Sequence, residues 1–456
     1  MKVDCVIVLM CLCLKVCACE LSDEFPFLLS DGDGYWLDYY AEKNNQPFTI
    51  KQWASEYLEN LDKLTPLHEA IKYGKKNETK NLINHGADVN AKGTEKQTPL
   101  HLAVENGEKD VVELLIDRGA KINAEDQYKR TPLHYAAHRG KKDVVEFLIN
   151  HGANITAEDQ YKRTSLHIAA SRRKGKKDVV ELLINHGANI TAEDKDKLTP
   201  LHLAAQRSKK DVAEYLINHG ANVNSEDIKK QTPLLKAAIK NNTAMVELLI
   251  SHGGNTNAED IMQETPLYYA ILYDNMDMVE LLISNGININ AEYKEKGTPL
   301  HTAVKIGRKD GAEILINHGA NINAENINKE TPLLCAVKMC KNDIAELLIN
   351  RGANVSAKNR DERTPLHIAS DIDWCRNKDV IDLLISHGVN VSAEDKDKQT
   401  PLHLAAQRSS IIVAEILTDH GANVNAVDKN TLYALHYAVQ YGKLIDLVEK
   451  LPSFLG

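Results

Sequence analysis

A tetrapeptide, Thr-Pro-Leu-His or a near variant, recurs along this chain at an almost fixed interval, and no other feature constrains the fold as tightly. It begins at Thr65, Thr98, Thr131, Thr164, Thr199, Thr232, Thr265, Thr298, Thr331, Thr364 and Thr400, with a degenerate copy from Tyr433. These starts define repeats 1 to 12 in chain order. Nine of the eleven steps are 33 residues; the step after Thr164 is 35 and the step after Thr364 is 36. A unit of this size falls below the ~40 residues at which an isolated core usually suffices. Stability must come from neighbouring units. The 456 residues therefore read as a stack that grows by addition, not as several compact domains.

Each unit has the pattern of two helices and a loop. In repeat 2, Thr98 is a good N-cap and Pro99 suits the first helical position, where its missing N–H costs nothing. Leu100, Ala103 and Val104 set an apolar stripe at i, i+3, i+4. Gly107 breaks that helix. Asp110 opens a second one, whose Val111 to Ile116 stretch is apolar almost all round and so expects neighbours on both sides. It closes at Gly119, and the same glycine recurs at the end of the second helix in repeats 1 to 11. The two- and three-residue insertions are expected between paired helices, near residues 172–175 and 371–376, in a solvent turn that tolerates them.

The unit Thr-Pro-Leu-His-x-Ala-Ala, followed by Asp-Val-Val-Glu-Leu-Leu-Ile-x-x-Gly-Ala-x-x-Asn-Ala, resembles the ankyrin repeat. The resemblance spans residues 62–450, about twelve copies. It implies an all-α ankyrin-repeat solenoid of helix pairs with hairpin-like loops, arranged as a curved, elongated stack with a concave groove. It also implies a non-enzymatic scaffold that binds a protein partner through that groove. One position departs from the family pattern. Two residues before the Thr, where such hairpins usually carry glycine, stands lysine at Lys63, Lys96, Lys129, Lys162, Lys197, Lys230, Lys296, Lys329 and Lys398. Lysine in a left-handed turn costs roughly 1 kcal/mol relative to glycine. Either the turn is reshaped or the lysines serve the surface; a reshaped turn is the expectation.

The N-terminal part is built differently. Three of five Phe and two of three Trp precede residue 60, and five of eight Cys lie within the first nineteen residues. Residues 5–14 form a ten-residue apolar run behind Lys2, the length of a signal-peptide core and too short to span a bilayer. Residues 1–18 are thus a candidate secretory signal, with Asp4 and Lys15 its poor features. The alternatives are an apolar tail from a misassigned start, a lipid-anchored Cys19, or an intracellular chain with no working signal. No later stretch reaches the ~18 apolar residues of a membrane helix. Residues 19–61 are expected to cap the stack, with Ile50, Trp53, Ala54, Tyr57, Leu58 and Leu61 along one helical stripe, and residues 451–456 form a tail.

The net charge of −9 and pI near 6.1 argue against general nucleic-acid binding. Seventeen of the eighteen histidines fall in two repeating columns, one in the tetrapeptide and one before the helix-ending glycine, so both columns read as structural. No metal-ligand spacing, nucleophile elbow or phosphate loop is present, and no cofactor, metal or catalytic group is expected. By analogy with the family, the last two residues of each first helix face the groove. They place Arg139, Arg172, Arg207, Lys240, Tyr273, Lys305, Lys338 and Met339 there, and repeat 7 adds Tyr269 beside Tyr268. A basic stripe that gains apolar residues from repeat 6 onward suggests an acidic, partly hydrophobic protein segment as partner of a monomeric chain. Cys340 and Cys375 occupy turns of adjacent repeats and are a candidate disulfide. Stacked turns ~8–10 Å apart exceed the reach of that bond, but the three-residue insertion could close the gap.

Overall fold

In a computed structural model, residues 64–172, 177–293, 297–372 and 378–440 are described. The expected signal and N-terminal cap lie outside them, as do the C-terminal tail, Lys63, Lys296 and Cys375. The chain divides into two units, 1–64 and 65–456. Among the described residues the second holds twenty-three α-helices and no strand. Each repeat supplies an inner helix starting at the tetrapeptide, such as Pro132–Arg139, and an outer helix, such as Lys142–Asn150. Each inner helix packs on its own outer helix and on the inner helices of the adjacent repeats; outer helices stack likewise. The insertions fall between Ser165–Ser171 and Lys177–Asn185, and between Pro365–Asp371 and Lys378–Ser386.

The tetrapeptide histidine starts the inner helix and ties it to the next repeat. In repeat 3, His134 Nδ1 accepts from the Thr131 backbone N–H at 3.0 Å and lies 2.9 Å from Thr131 Oγ1. Its Nε2 is 3.1 Å from the carbonyl oxygen of Arg163, one repeat on. A carbonyl can only accept, so this network puts the ring proton on Nε2. The same clip runs from His68 to Gln97, from His101 to Arg130, from His167 to Leu198 and from His202 to Gln231. It recurs from His301 to Glu330, from His367 to Gln399 and from His403 to Leu432. Burial lowers the pKa of all eight, to about 4 for His101, His167 and His202, which keeps the rings neutral at pH 7.

The second histidine column caps outer helices from within. His151 Nδ1 bonds the Phe147 carbonyl at 2.8 Å, and His85, His186, His219, His252, His318, His387 and His420 repeat that i to i−4 contact. The glycine that follows adopts a left-handed φ, +90° at Gly152, which satisfies the last carbonyls by turning the chain back. Leu100, Leu115, Leu133, Leu148, Leu166 and Leu183 are fully buried between layers. One unit carries a flaw. Repeat 4 has Ser165 where repeats 1–3 and 5–11 have proline, and its Oγ is buried without a hydrogen-bond partner.

Candidate functional site

The surface of interest starts in the loops, or fingers, that precede each tetrapeptide. In repeat 3, Asp126 Oδ1 accepts from the backbone N–H of Tyr128 at 2.7 Å and of Arg130 at 2.8 Å. Lys129 N–H reaches the Asp126 carbonyl at 3.1 Å. These bonds over-determine the turn. Lys129 accordingly sits at φ +60°, and Lys96, Lys162, Lys197, Lys230, Lys329 and Lys398 lie between +55° and +60°. The expected reshaping does not occur: the left-handed turn is retained with lysine in it, and in every one of these fingers but that of Lys96 the bonds of an aspartate or asparagine offset a strain of roughly 1 kcal/mol. Fingers are also stitched to one another, for example Gln127 N–H to the Glu95 carbonyl at 2.8 Å and Gln160 N–H to the Tyr128 carbonyl at 2.9 Å.

Finger bases and inner-helix ends form one surface. The residue before the Thr meets the seventh residue after it: Lys338 Nζ donates to Glu330 at 2.6 Å, and Arg363 to Asp371 at 3.0 Å. That seventh residue also meets the eighth residue of the next repeat, as Arg139 donates to Glu105 at 2.7 Å and Arg408 to Asp371 at 2.9 Å. The sequence-selected residues fall on this surface with one exception. Arg139, Arg207, Lys240, Tyr273, Lys305, Lys338 and Met339 are exposed and Arg172 is half-buried. Tyr269 is buried at 9% exposure, with its hydroxyl donating to Glu264 at 2.7 Å and Asp260 at 3.3 Å. It cannot be offered to a partner. The fourth position after the Thr faces back under the finger, where Tyr135 likewise donates to Asp126 at 2.8 Å.

The face changes character along the stack. In repeats 3 and 4, Arg130 stacks on the rings of Tyr128 and Tyr135 at 4.6 and 4.9 Å, and Arg163 on Tyr161 at 5.0 Å. His138 lies among these guanidiniums. Burial, then the charges of Arg172, Arg139, Arg130 and Arg163, hold its pKa near 3. From repeat 6 to repeat 9 the exposed residues turn apolar: Ile228, Ile261, Met262 and Ile327 on fingers, and Tyr273, Ile306 and Met339 at helix ends. The finger members were not singled out in the sequence. Their signal was present, since isoleucine at the tip of an otherwise polar turn has no core to fill. Also unread was the acid or amide five residues before the Thr, Asp126, Asp159, Asp194, Asp227 and Asp260 among them, which recurs in step with the tetrapeptide.

Among the described residues, no group of three His, Cys, Asp or Glu is placed to hold a metal ion. No helix there is long and apolar enough to cross a membrane. Cys335 is a free, buried thiol whose pKa burial pushes up to about 12. Cys340 is disulfide-bonded; its expected partner Cys375 lies outside the described residues.

A family model described as ankyrin repeats (3 copies) matches the chain in eight overlapping placements that run from residue 37 to residue 452. The chain belongs to the ankyrin-repeat family. Its ankyrin repeats indicate a protein–protein interaction scaffold, and proteins built from such repeats are generally non-enzymatic. No curated protein matches the chain.

Proposed function

We propose that this ankyrin-repeat chain binds one protein partner along the face made by its fingers and inner-helix ends, and that the bound segment is acidic over repeats 3–5 and apolar over repeats 6–9. The observation that carries this reading is the succession on one face of a cationic stretch and an apolar stretch, in a chain whose net charge is −9. Charge of one sign steers and orients a partner of the other, while exposed Tyr273, Ile306 and Met339 supply the area that anchors it. Solitary exposed apolar residues need no explanation, but a run of them across four repeats does.

Charge reversal at Arg139, Arg172, Arg207 and Lys240 together tests the reading. Affinity for a partner captured by the unaltered chain is expected to fall at least a hundredfold with the helical signal intact; unchanged affinity refutes the cationic half. Export is part of the same proposal. The signal-like residues 1–18 support it, and so does the disulfide at Cys340, since such bonds persist in oxidising compartments. N-terminal sequencing of the mature protein decides: a start near Cys19 fits export, and a start at Met1 fits an intracellular scaffold of the same fold.

A further inference from the structure

Repeats 1, 2, 5–8 and 11 carry an asparagine four residues after the glycine that closes the outer helix. Its side chain stitches one repeat to the next. Asn123 Nδ2 donates to the Gly152 carbonyl at 3.1 Å, and its Oδ1 accepts from the Asn154 N–H at 2.8 Å. Asn90 and Asn224 bond the following repeats in the same two ways. Repeats 3, 4, 9 and 10 place a hydroxyl there instead: Thr156, Thr191, Ser356 and Ser392. Ser392 keeps one of the two bonds, accepting from the Asn423 N–H at 2.8 Å. Thr156, Thr191 and Ser356 make neither to a described residue.

Each of these four residues turns to an asparagine two positions before it. Thr156 donates its hydroxyl and its backbone N–H to Asn154 Oδ1, at 2.9 and 3.0 Å. Thr191 gives both bonds to Asn189 Oδ1 at 3.0 Å. Ser356 and Ser392 reach Asn354 Oδ1 and Asn390 Oδ1 through their backbone N–H groups at 3.0 Å. All four asparagines are exposed, and in each the amide oxygen is held while Nδ2 makes no hydrogen bond to a described residue. The residues between are Ile155, Ile190, Val355 and Val391, so every one is a complete Asn-x-Ser/Thr acceptor with no proline inside.

We propose that Asn154, Asn189, Asn354 and Asn390 carry N-linked glycans. The proposal rests on the export reading above, because this modification belongs to a secretory route. A lipid-pyrophosphate-linked oligosaccharide is the donor. The bond formed joins Nδ2 to C1 of the first sugar, and the bond broken is C1–O. The lipid pyrophosphate leaves with that electron pair, and the amide gives up one proton.

Two features of the fold support the assignment. The sites stand clear of the proposed groove, since each follows the C-terminal end of an outer helix such as Lys142–Asn150. The inner-helix ends that form the groove lie at the other end of that helix, nine residues or ~13 Å away. Ser356, Asn390 and Ser392 also line an open cleft of about 530 Å³, with Lys358, Glu362 and Glu394 among its walls. That is a polar bed for the first sugars. The chain's other two acceptor sequences, from Asn77 and Asn241, are built differently and are not included. Thr79 is buried with its hydroxyl donating to the Lys75 carbonyl at 3.0 Å. Asn241 Oδ1 accepts from Asn275 Nδ2 at 2.6 Å, in the turn that follows an inner helix.

The experiment produces the full chain in a eukaryotic secretory host, once with its own N-terminus and once behind a proven cleavable signal. Peptide N-glycosidase in heavy-oxygen water converts each glycan-bearing asparagine to a labelled aspartate, which peptide mass spectrometry locates. Label at Asn154, Asn189, Asn354 and Asn390 of secreted chain is the expected result. Secreted chain without label at these positions overturns the proposal and leaves export standing. If the native N-terminus keeps the chain in the cell while the signal-led chain carries the four labels, export fails and the acceptor sites stand. Thr156→Asn with Thr191→Asn keeps both acceptor asparagines but replaces the hydroxyls by the stitching side chain. It is expected to lose label at Asn154 and Asn189 alone, and to raise the melting temperature of chain made without glycans in a bacterial cytosol. Label that survives there, or a melting temperature that falls, overturns the role given to the hydroxyls.

Discussion

In repeats 1–5 every inner helix sends a histidine to the next finger base, whereas repeats 6, 7 and 9 place Leu235, Tyr268 and Leu334 at that position. The joints hold nonetheless. Leu235 and Leu334 are fully buried, and at repeat 7 the Thr265 hydroxyl that would have met a histidine lies 3.1 Å from the Tyr293 hydroxyl of the following finger. The Tyr268 ring packs edge-on against Tyr293 at 5.7 Å. Outer helices of this region gain caps in exchange, with Asn242 accepting from Met245 N–H and Asn275 from Met278 N–H, both at 2.9 Å. The difference separates two jobs that the regular repeats combine. Apolar stacking joins repeats whether or not the polar clip is present, and the region without the full set of clips is the one that shows an apolar face to solvent.

Acid is expected to separate the two regions most strongly. The clip histidines have folded pKa values below the 6.5 of the free side chain, near 4 for His101, His167 and His202. Above pH 6.5 both folded and unfolded rings are neutral and the clip contributes fully. As pH falls from 6.5 to 4, the unfolded chain takes up protons that the folded chain refuses, so each such histidine withdraws about 3 kcal/mol. Hydrogen exchange followed over that window is expected to show protection lost in repeats 1–5 before repeats 6 and 7; simultaneous loss would break the contrast. At neutral pH, His101→Leu copies repeat 6 into repeat 2 but leaves the Arg130 carbonyl and Thr98 N–H without the imidazole. A destabilisation of about 2–3 kcal/mol in urea unfolding is expected, against the natural tolerance of Leu235.

Smaller effects sharpen the regular half of the comparison. Ser165→Pro removes a buried, unpartnered hydroxyl and restores the residue that repeats 1–3 and 5–11 use. It is expected to add about 1 kcal/mol to stability by denaturant titration. Lys162→Gly relieves a left-handed lysine at φ +60° and is expected to add about 0.5–1 kcal/mol, with a loss instead showing that the side chain is needed where it stands.

The helix pairs, their caps and their order were legible because each is a local pattern repeated in register: the Thr-Pro start, the apolar stripe and the closing glycine depend on neighbours a few residues away. Clips such as His134 to Arg163 were legible from the resemblance as bonds to backbone across repeats, but not the particular acceptor, a main-chain atom 29 residues on. The lysine turns were misjudged because residue preference was weighed without Asp126 and its equivalents, whose two backbone bonds decide the turn. Tyr269 was misplaced for a related reason. Aromatic content suggested an anchor, while the phase of the helix turns that position under the finger, toward Glu264. The double grip on Asp371 required knowing that Arg363, Asp371 and Arg408 meet, a contact spread over two repeats and one insertion.

Where an aspartate or asparagine holds the finger it does so by accepting from main-chain donors, so the turn itself does not depend on the identity of a tip residue such as Gln127. Specificity can then drift, or be engineered, by rewriting tips one repeat at a time while the frame behind them stays untouched. A lineage or a laboratory starting from this chain has a row of independently exchangeable reading heads.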